Sequence, residues 1–283
     1  MATFTNFATL SYSGGTTNSN TVTGELIETL SAAKTAVSDT YSARGDIAYV
    51  ISIRNSGTTP FTGLTVTDDL GGYPFGGETV YPLAYAAGSL RYFINGVLQA
   101  APDVTAGPPL VISDIDVPAM GNVLLVYEAN VTPFAPPSAD GSITNTATVS
   151  GGGLSTPITA SETVSAAAEA SLAVTKSLSP AVVAENGQLT YTFIIENSGS
   201  APVVATDDAV LTDIFDPILD LISVTFNGVP WEEGVNYTYD ETTGIFTTLP
   251  GEITVPAATF TRNADGTFTV TPGTAVLVVT GTV

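Results

Sequence analysis

Two tandem antiparallel β-sandwiches of immunoglobulin-like build, the second incomplete in its own chain, are what this 283-residue sequence predicts. Three observations carry the prediction. Strand-sized runs rich in Val, Ile, Thr, Tyr and Phe follow one another at short spacing, separated by turn signals and with almost no helical periodicity. The chain's two lysines lie in LSAAKTAV around Lys34 and LAVTKSLS around Lys176, and each follows a copy of one asparagine motif. Those copies are TFTNFATLSYSGG, from Thr3, and SITNTATVSGG, from Ser142 to Gly152. Lysines and motifs alike recur after roughly 140 residues, so the chain holds two copies of one unit, cut one hairpin out of phase. The second copy reaches Val283 before its closing strands, and strands of that kind stand instead at the N-terminus. There they are placed to complete the second repeat of another molecule.

Residues 1–30 read as a donor hairpin. Phe4, Asn6, Ala8, Leu10 and Tyr12 alternate with polar neighbours, Gly14 and Gly15 punctuate the run, and Thr21 to Leu30 returns as a second extended stretch. Repeat one occupies residues 31–165. It runs through DIAYVISIR into the turn Asn55-Ser56-Gly57, then LTVTDDL, a loop rich in Gly, Pro and Tyr, an Asn95-Gly96 hairpin, NVLLVYEANVT and the asparagine strand. An Ala-rich stretch, Ser165 to Ser171, reads as a linker in preference to a helical turn. Repeat two, residues 171–283, repeats the order: YTFIIENSG against YVISIRNSG, AVLTDIF against TVTDDLG, SVTFNGV against RYFINGV, and GTAVLVVTGTV against GNVLLVYEANV.

Composition narrows the function. A 44% hydrophobic content permits two full cores, while 27 acidic against 6 basic residues give a formal charge of -21, which disfavours nucleic acid and anionic membrane. Without Cys there are no disulfides, thiolate metal sites or Cys nucleophiles, and without His the usual general base and commonest metal ligand are gone. No apolar run approaches the roughly 20 residues of a membrane helix, and no secretory leader is legible at the N-terminus. No cofactor, metal or small-molecule substrate is expected.

Strand parity places three polar groups on apolar faces. Lys34 lies between Ala32 and Ala36, Asp68 between Val66 and Leu70, and Asn145 between Ile143 and Ala147. Repeat two has the same for Lys176 and Asp213, and the N-terminal hairpin for Asn6. An inward Lys is among the rarest of core residues, and unpaired it would cost several kcal/mol as an ion. Burial favours the uncharged forms of an amine and an acid, giving a neutral nucleophile beside a protonated carboxyl. The amine can attack the Asn carbonyl while Asp shuttles the proton and ammonia leaves, forming an isopeptide bond. The plainer reading is a buried Lys-Asp ion pair with Asn completing its hydrogen bonds. Duplication favours the reaction, because both lysines of the chain occupy this one position.

Weaker candidates are Asp68-Asp69 and Asp207-Asp208 for calcium, without EF-hand spacing; Tyr73, Tyr81, Tyr85 and Trp231 as a sugar platform; and Asn236 as a glycosylation sequon. Paired carboxylates for glycosidase chemistry are not singled out by anything in the pattern.

The lysine strand with its following SP or SD, YVISIRNSG and YTFIIENSG, TVTDDL and VLTDIF, and ITNTATVSG together resemble the repeats of bacterial cell-surface proteins called domain of unknown function 11. The resemblance implies extracellular stalks, and a two-repeat chain is similar to the fibre subunits of clostridial spore appendages. The cross-link resembles the Lys-Asn isopeptides of Gram-positive pilins. It implies roles for Lys34, Asp68 and Asn145, and for Lys176, Asp213 and Asn6, with the two aspartates as proton shuttles. The expected function is thus a head-to-tail homopolymer at the cell or spore surface, with a monomeric adhesin or carbohydrate-binding module as the alternative.

Overall fold

Alternation of apolar and polar residues is resolved into strands along almost the whole chain. The computed structural model describes residues 2–26 and 29–283, and among them the only helical segment is the short 3-10 turn Ala205–Asp207. The expected all-β class holds. Asp46–Asn55 illustrates the cause: Ile47, Tyr49, Ile51 and Ile53 face the core at period two, with polar or half-buried residues between them.

Repeat one is a closed sandwich. One sheet runs Val97–Gln99, Arg91–Ile94, Asn122–Val131, Asp46–Asn55 and Leu30–Ala36, with Leu83–Tyr85 also paired to Asn122–Val131. The other runs Val104–Thr105, Leu110–Val117, Phe61–Asp68, Ser142–Gly151, Ile158–Ala166 and Thr40–Tyr41. The asparagine strand sits at the centre of that second sheet. Its Ile143, Ala147 and Val149, with Val164 from the next strand, are buried against Tyr49, Leu64 and Leu125 in one core.

Repeat two reproduces five of the six strands of the first of these sheets, with none matching Leu83–Tyr85 among the described residues: Leu172–Ser179, Gln188–Asn197, Gly273–Thr282, Asp220–Phe226 and Val229–Trp231. The facing sheet has three strands, Thr212–Ile214, Ile245–Thr248 and Tyr237–Asp240. Among the described residues no strand stands where Ser142–Gly151 and Ile158–Ala166 stand in repeat one. The consequence is an open core. Leu30 of the first lysine strand is 6% exposed, whereas its counterpart Leu172 is 47% exposed, with Val174 at 56% and Leu178 at 50%.

The strands missing from repeat two have relatives in residues 2–26, which form a ribbon paired only to itself. Ala2–Asn6 pairs with Val22–Leu26, and Thr9–Tyr12 with Gly15–Asn18. The return therefore begins at Gly15 and not at Thr21 as expected, because the turn is the tight Ser13-Gly14 corner. The register also slips by one between Asn6↔Val22 and Thr9↔Asn18, the mark of a β-bulge. Leu30, placed at the hairpin's end by its sequence, instead opens the lysine strand opposite Asn55. Residues 27 and 28 of the expected return stretch lie outside the described residues. The Ala-rich segment forms no helical turn: Ser165 and Ala166 end a strand, and 167–171 carry no regular element.

Duplication extends to hydrogen bonds. Buried Asn55 donates its amide to Thr59 O and Pro118 O and accepts from Gly57 N; buried Asn197 does the same with Ala201 O, Pro256 O and Gly199 N. Each asparagine closes the turn that follows it and ties that turn to a proline carbonyl about 60 residues later in the chain.

Candidate functional site

The three inward polar residues of repeat one meet in its core. Lys34 comes from the edge strand, opposite Ile51; Asp68 is the last residue of its strand, opposite Leu110 and Ala147; Asn145 lies two residues from that Ala147. Lys34 is 4% exposed, and Asp68 and Asn145 are fully buried. The Lys34 Nζ to Asp68 Oδ2 distance is 2.5 Å, and Asp68 Oδ1 accepts from Leu70 N.

A fourth group, not anticipated from the sequence, links the acid to the amide. Tyr127, in the middle of Asn122–Val131, donates its hydroxyl to Asp68 Oδ2 at 2.6 Å and accepts from Asn145 Nδ2 at 3.2 Å. Its ring stacks on Tyr49, centroids 5.7 Å apart, and Lys34 Nζ lies 4.9 Å from the Tyr49 centroid. Lysine, acid, phenol and amide thus form one continuous chain of polar contacts inside an apolar shell. The Tyr49 hydroxyl and Asn145 Oδ1 are buried with no hydrogen-bond partner.

Burial governs the electrostatics. The Lys34 amine is pushed below its ordinary 10.5, because desolvation outweighs the opposing pull of Asp68 and, more weakly, Asp69 and Glu162. The Tyr127 phenol is pushed well above its usual range, first by burial and then by the neighbouring Asp68 carboxyl. Tyr49 is raised by burial too, with the nearby Asn145 amide offsetting a part. Burial thus shifts Lys34 toward its neutral form.

Repeat two holds half of this arrangement. Lys176 is ion-paired with Asp213, and its Nζ lies 4.4 Å from the Tyr191 centroid, as Lys34 lies over Tyr49. The pair is open to solvent, the Lys176 side chain being 39% exposed. Lys176 therefore does not point into a closed core, contrary to the parity expectation, because among the described residues no strand covers it. Asn6, expected inward as well, is exposed on the ribbon opposite Val22. The tyrosine has no counterpart either: Tyr127 faces Tyr49 across its sheet, and the residue facing Tyr191 is Val279.

The other candidates are engaged locally. Asp69 accepts from Gly71 N and Thr146 N, and Asp207 from Val204 N; Asp68 belongs to the lysine cluster, and Asp208 takes a left-handed backbone at the end of the 3-10 turn. Among the described residues no three acidic groups gather as a metal site. Tyr73 donates to Phe134 O, Tyr85 accepts from Leu90 N, Tyr81 packs on the core and Trp231 stacks on Phe226. Asn236 is held at both ends of its amide by Glu232 N and Glu252 Oε2. Among the described residues no helix is long and apolar enough to cross a membrane.

No family model matches the chain, and no curated protein matches it. Among solved structures it is similar to a variant of BcpA, the major pilin subunit of Bacillus cereus, at 13% identity and TM-score 0.39, over 95% of this chain and 73% of that one. It is also similar to the pilus backbone RrgB of Streptococcus pneumoniae, at 12% identity and TM-score 0.36, covering 87% of this chain and about half, 55%, of that one. The collagen-binding domain of a Staphylococcus aureus adhesin matches at 10% identity and TM-score 0.32, over 50% of this chain and 99% of the domain.

Proposed function

We propose that the chain is the subunit of a self-assembling extracellular fibre, in which the N-terminal ribbon of one molecule completes the open second sandwich of the next. One observation carries the reading: the chain holds both an unpartnered ribbon with Phe4, Leu10 and Tyr12 exposed and a sandwich lacking two strands, with Leu172, Val174 and Leu178 exposed. An exposed edge and an open apolar face invite strand addition. The contact is heterologous, so it continues into an open filament unless its rotation closes a ring. Lys-Asn isopeptide bonds stabilise the fibre within the subunit, through Lys34, Asp68 and Asn145, and between subunits, through Lys176, Asp213 and Asn6. A spore or cell surface is the expected setting, on the resemblance to domain-of-unknown-function-11 repeats.

Imaging of the purified protein in negative stain, with electrophoresis after boiling in SDS, tests this. Fibres and a ladder, or material retained in the well, are expected. Isolated particles and a single band near the subunit mass of 28.9 kDa would favour the monomeric adhesin instead.

The intramolecular bond has its own readout. Closing it releases one ammonia, so a chain with Asn6 replaced by Ala, freed from inter-subunit bonds by hot SDS, is expected to weigh one ammonia less than its sequence. Adding Lys34→Ala should restore the full sequence mass. An unchanged deficit in the double variant would rule out Lys34 as the nucleophile.

A further inference from the structure

We propose, on the cross-linking reading above, that Tyr127 is a catalytic proton relay for the Lys34-Asn145 bond, delivering to the departing nitrogen the proton that Asp68 takes from the lysine. The leaving group of the reaction is Asn145 Nδ2, and the only side chain hydrogen-bonded to it among the described residues is the Tyr127 hydroxyl, at 3.2 Å. The same hydroxyl is 2.6 Å from Asp68 Oδ2, the oxygen that also contacts Lys34 Nζ. Asp68 alone would have to reach both the attacking and the leaving nitrogen. Tyr127 spans that gap.

The steps balance without any further reactant. The neutral Lys34 amine donates its lone pair to Asn145 Cγ; the new C–N bond forms and the carbonyl π pair moves onto Oδ1. One Nζ proton passes to Asp68 Oδ2, which in this relay begins as a carboxylate oxygen accepting from both Lys34 and Tyr127. The Tyr127 hydroxyl, which donated to that oxygen, then reverses: it receives the proton from Asp68 and gives its own to Nδ2. The pair on Oδ1 re-forms the carbonyl, the Cγ–Nδ2 bond breaks with its pair going to nitrogen, and ammonia leaves. Asp68 and Tyr127 return to their starting states. The relay requires a phenol that keeps its proton, and the burial that raises Tyr127 provides one.

Tyr49 supplies an internal control. Its ring belongs to the same stack, and its hydroxyl is equally buried but hydrogen-bonded to nothing. The experiment follows ammonia loss by intact mass in full-length chains made by cell-free synthesis, all carrying Asn6→Ala so that only the bond within the subunit is read, comparing the parent of this background, Tyr127→Phe and Tyr49→Phe, with circular dichroism to verify folding. Tyr127→Phe is expected to fold yet to close the bond on the order of 100-fold more slowly, the usual contribution of a positioned acid, while Tyr49→Phe keeps the parent rate. Equal rates for Tyr127→Phe and the parent would overturn the relay. Equal slowing in both tyrosine variants would overturn it as well, since that is what disturbance of the stack produces. A parent chain that never loses ammonia would instead sink the cross-link reading on which the relay stands. Should Tyr127→Phe fail to fold, the parent is followed in D2O, where a rate equal to that in water would exclude a proton in flight and overturn the proposal.

Discussion

A chain lacking residues 1–26 is expected to fold and to remain monomeric at concentrations where the parent forms fibres. Deletion to residue 26 spares Leu30, which is buried and pairs with Asn55 in repeat one. Little else is lost from the subunit, because the ribbon pairs only with itself and all its described side chains are exposed or half-buried. A two-stranded ribbon is marginal in water by itself, so the free subunit gains little from it. In the proposed fibre the balance differs. Phe4, Leu10 and Tyr12, now 58 to 65% exposed, would each contribute up to about 1.5–3 kcal/mol on full burial. Covering Leu172, Val174 and Leu178 adds terms of the same kind from the acceptor. Sums of this size, less the cost of association, separate a stable filament from none. Sedimentation and negative-stain imaging read the result, and normal fibres from the shortened chain would remove the donor role from the ribbon.

The parts of this architecture that the sequence disclosed are those written twice. Lys34, Asp68 and Asn145 are each unremarkable alone; strand parity put them on an apolar face, and the second copy made the coincidence informative. Tyr127 escaped because a tyrosine in an alternating strand reads as core, and its ring does pack there, on Tyr49. A signal was present all the same. Aligned copies match Tyr49 with Tyr191 but Tyr127 with Val279, the loss of a hydroxyl beside the lysine site. The repeats' private insertions were illegible for the opposite reason, having no second copy to compare. The Gly- and Pro-rich loop of repeat one contains the hairpin Tyr73–Phe75/Glu78–Val80, and repeat two inserts Thr259–Arg262/Phe268–Thr271. The Arg262 guanidinium lies 4.1 Å from the Phe75 centroid and 5.0 Å from that of Tyr73. A pairing between two singular insertions leaves no periodic trace in either.

Replacing Asn6 by Ala is expected to leave assembly intact and to make the fibres fall to monomers in hot SDS. Register in repeat one states why. Ala147 faces Asp68, and Asn145, two residues earlier on the same face, donates to Tyr127, which donates in turn to the Asp68 carboxyl paired with Lys34. A donor ribbon taking the same place beside Thr212–Ile214 sets Ala8 opposite Asp213 and brings Asn6 to Lys176, whose ion pair with Asp213 is already formed and open to solvent. Burial on insertion supplies the desolvation that Lys34 has and Lys176 lacks. The second site has Val279 in place of the relay tyrosine, so its bond should form more slowly than the one inside repeat one, and fibres should gain SDS resistance well after they elongate. Once closed, each junction is held by an amide, and fibre lifetime follows peptide chemistry rather than an unfolding equilibrium. Asn6→Ala removes only the electrophile: the small side chain still fits an inward position, and the apolar contacts of Phe4, Leu10 and Tyr12 remain. Electrophoresis with and without boiling, sampled over days, separates the cases. Resistance of Asn6→Ala fibres equal to the parent's would place the inter-subunit bond elsewhere or remove it, whereas their failure to assemble at all would assign Asn6 a part in docking rather than in covalent closure.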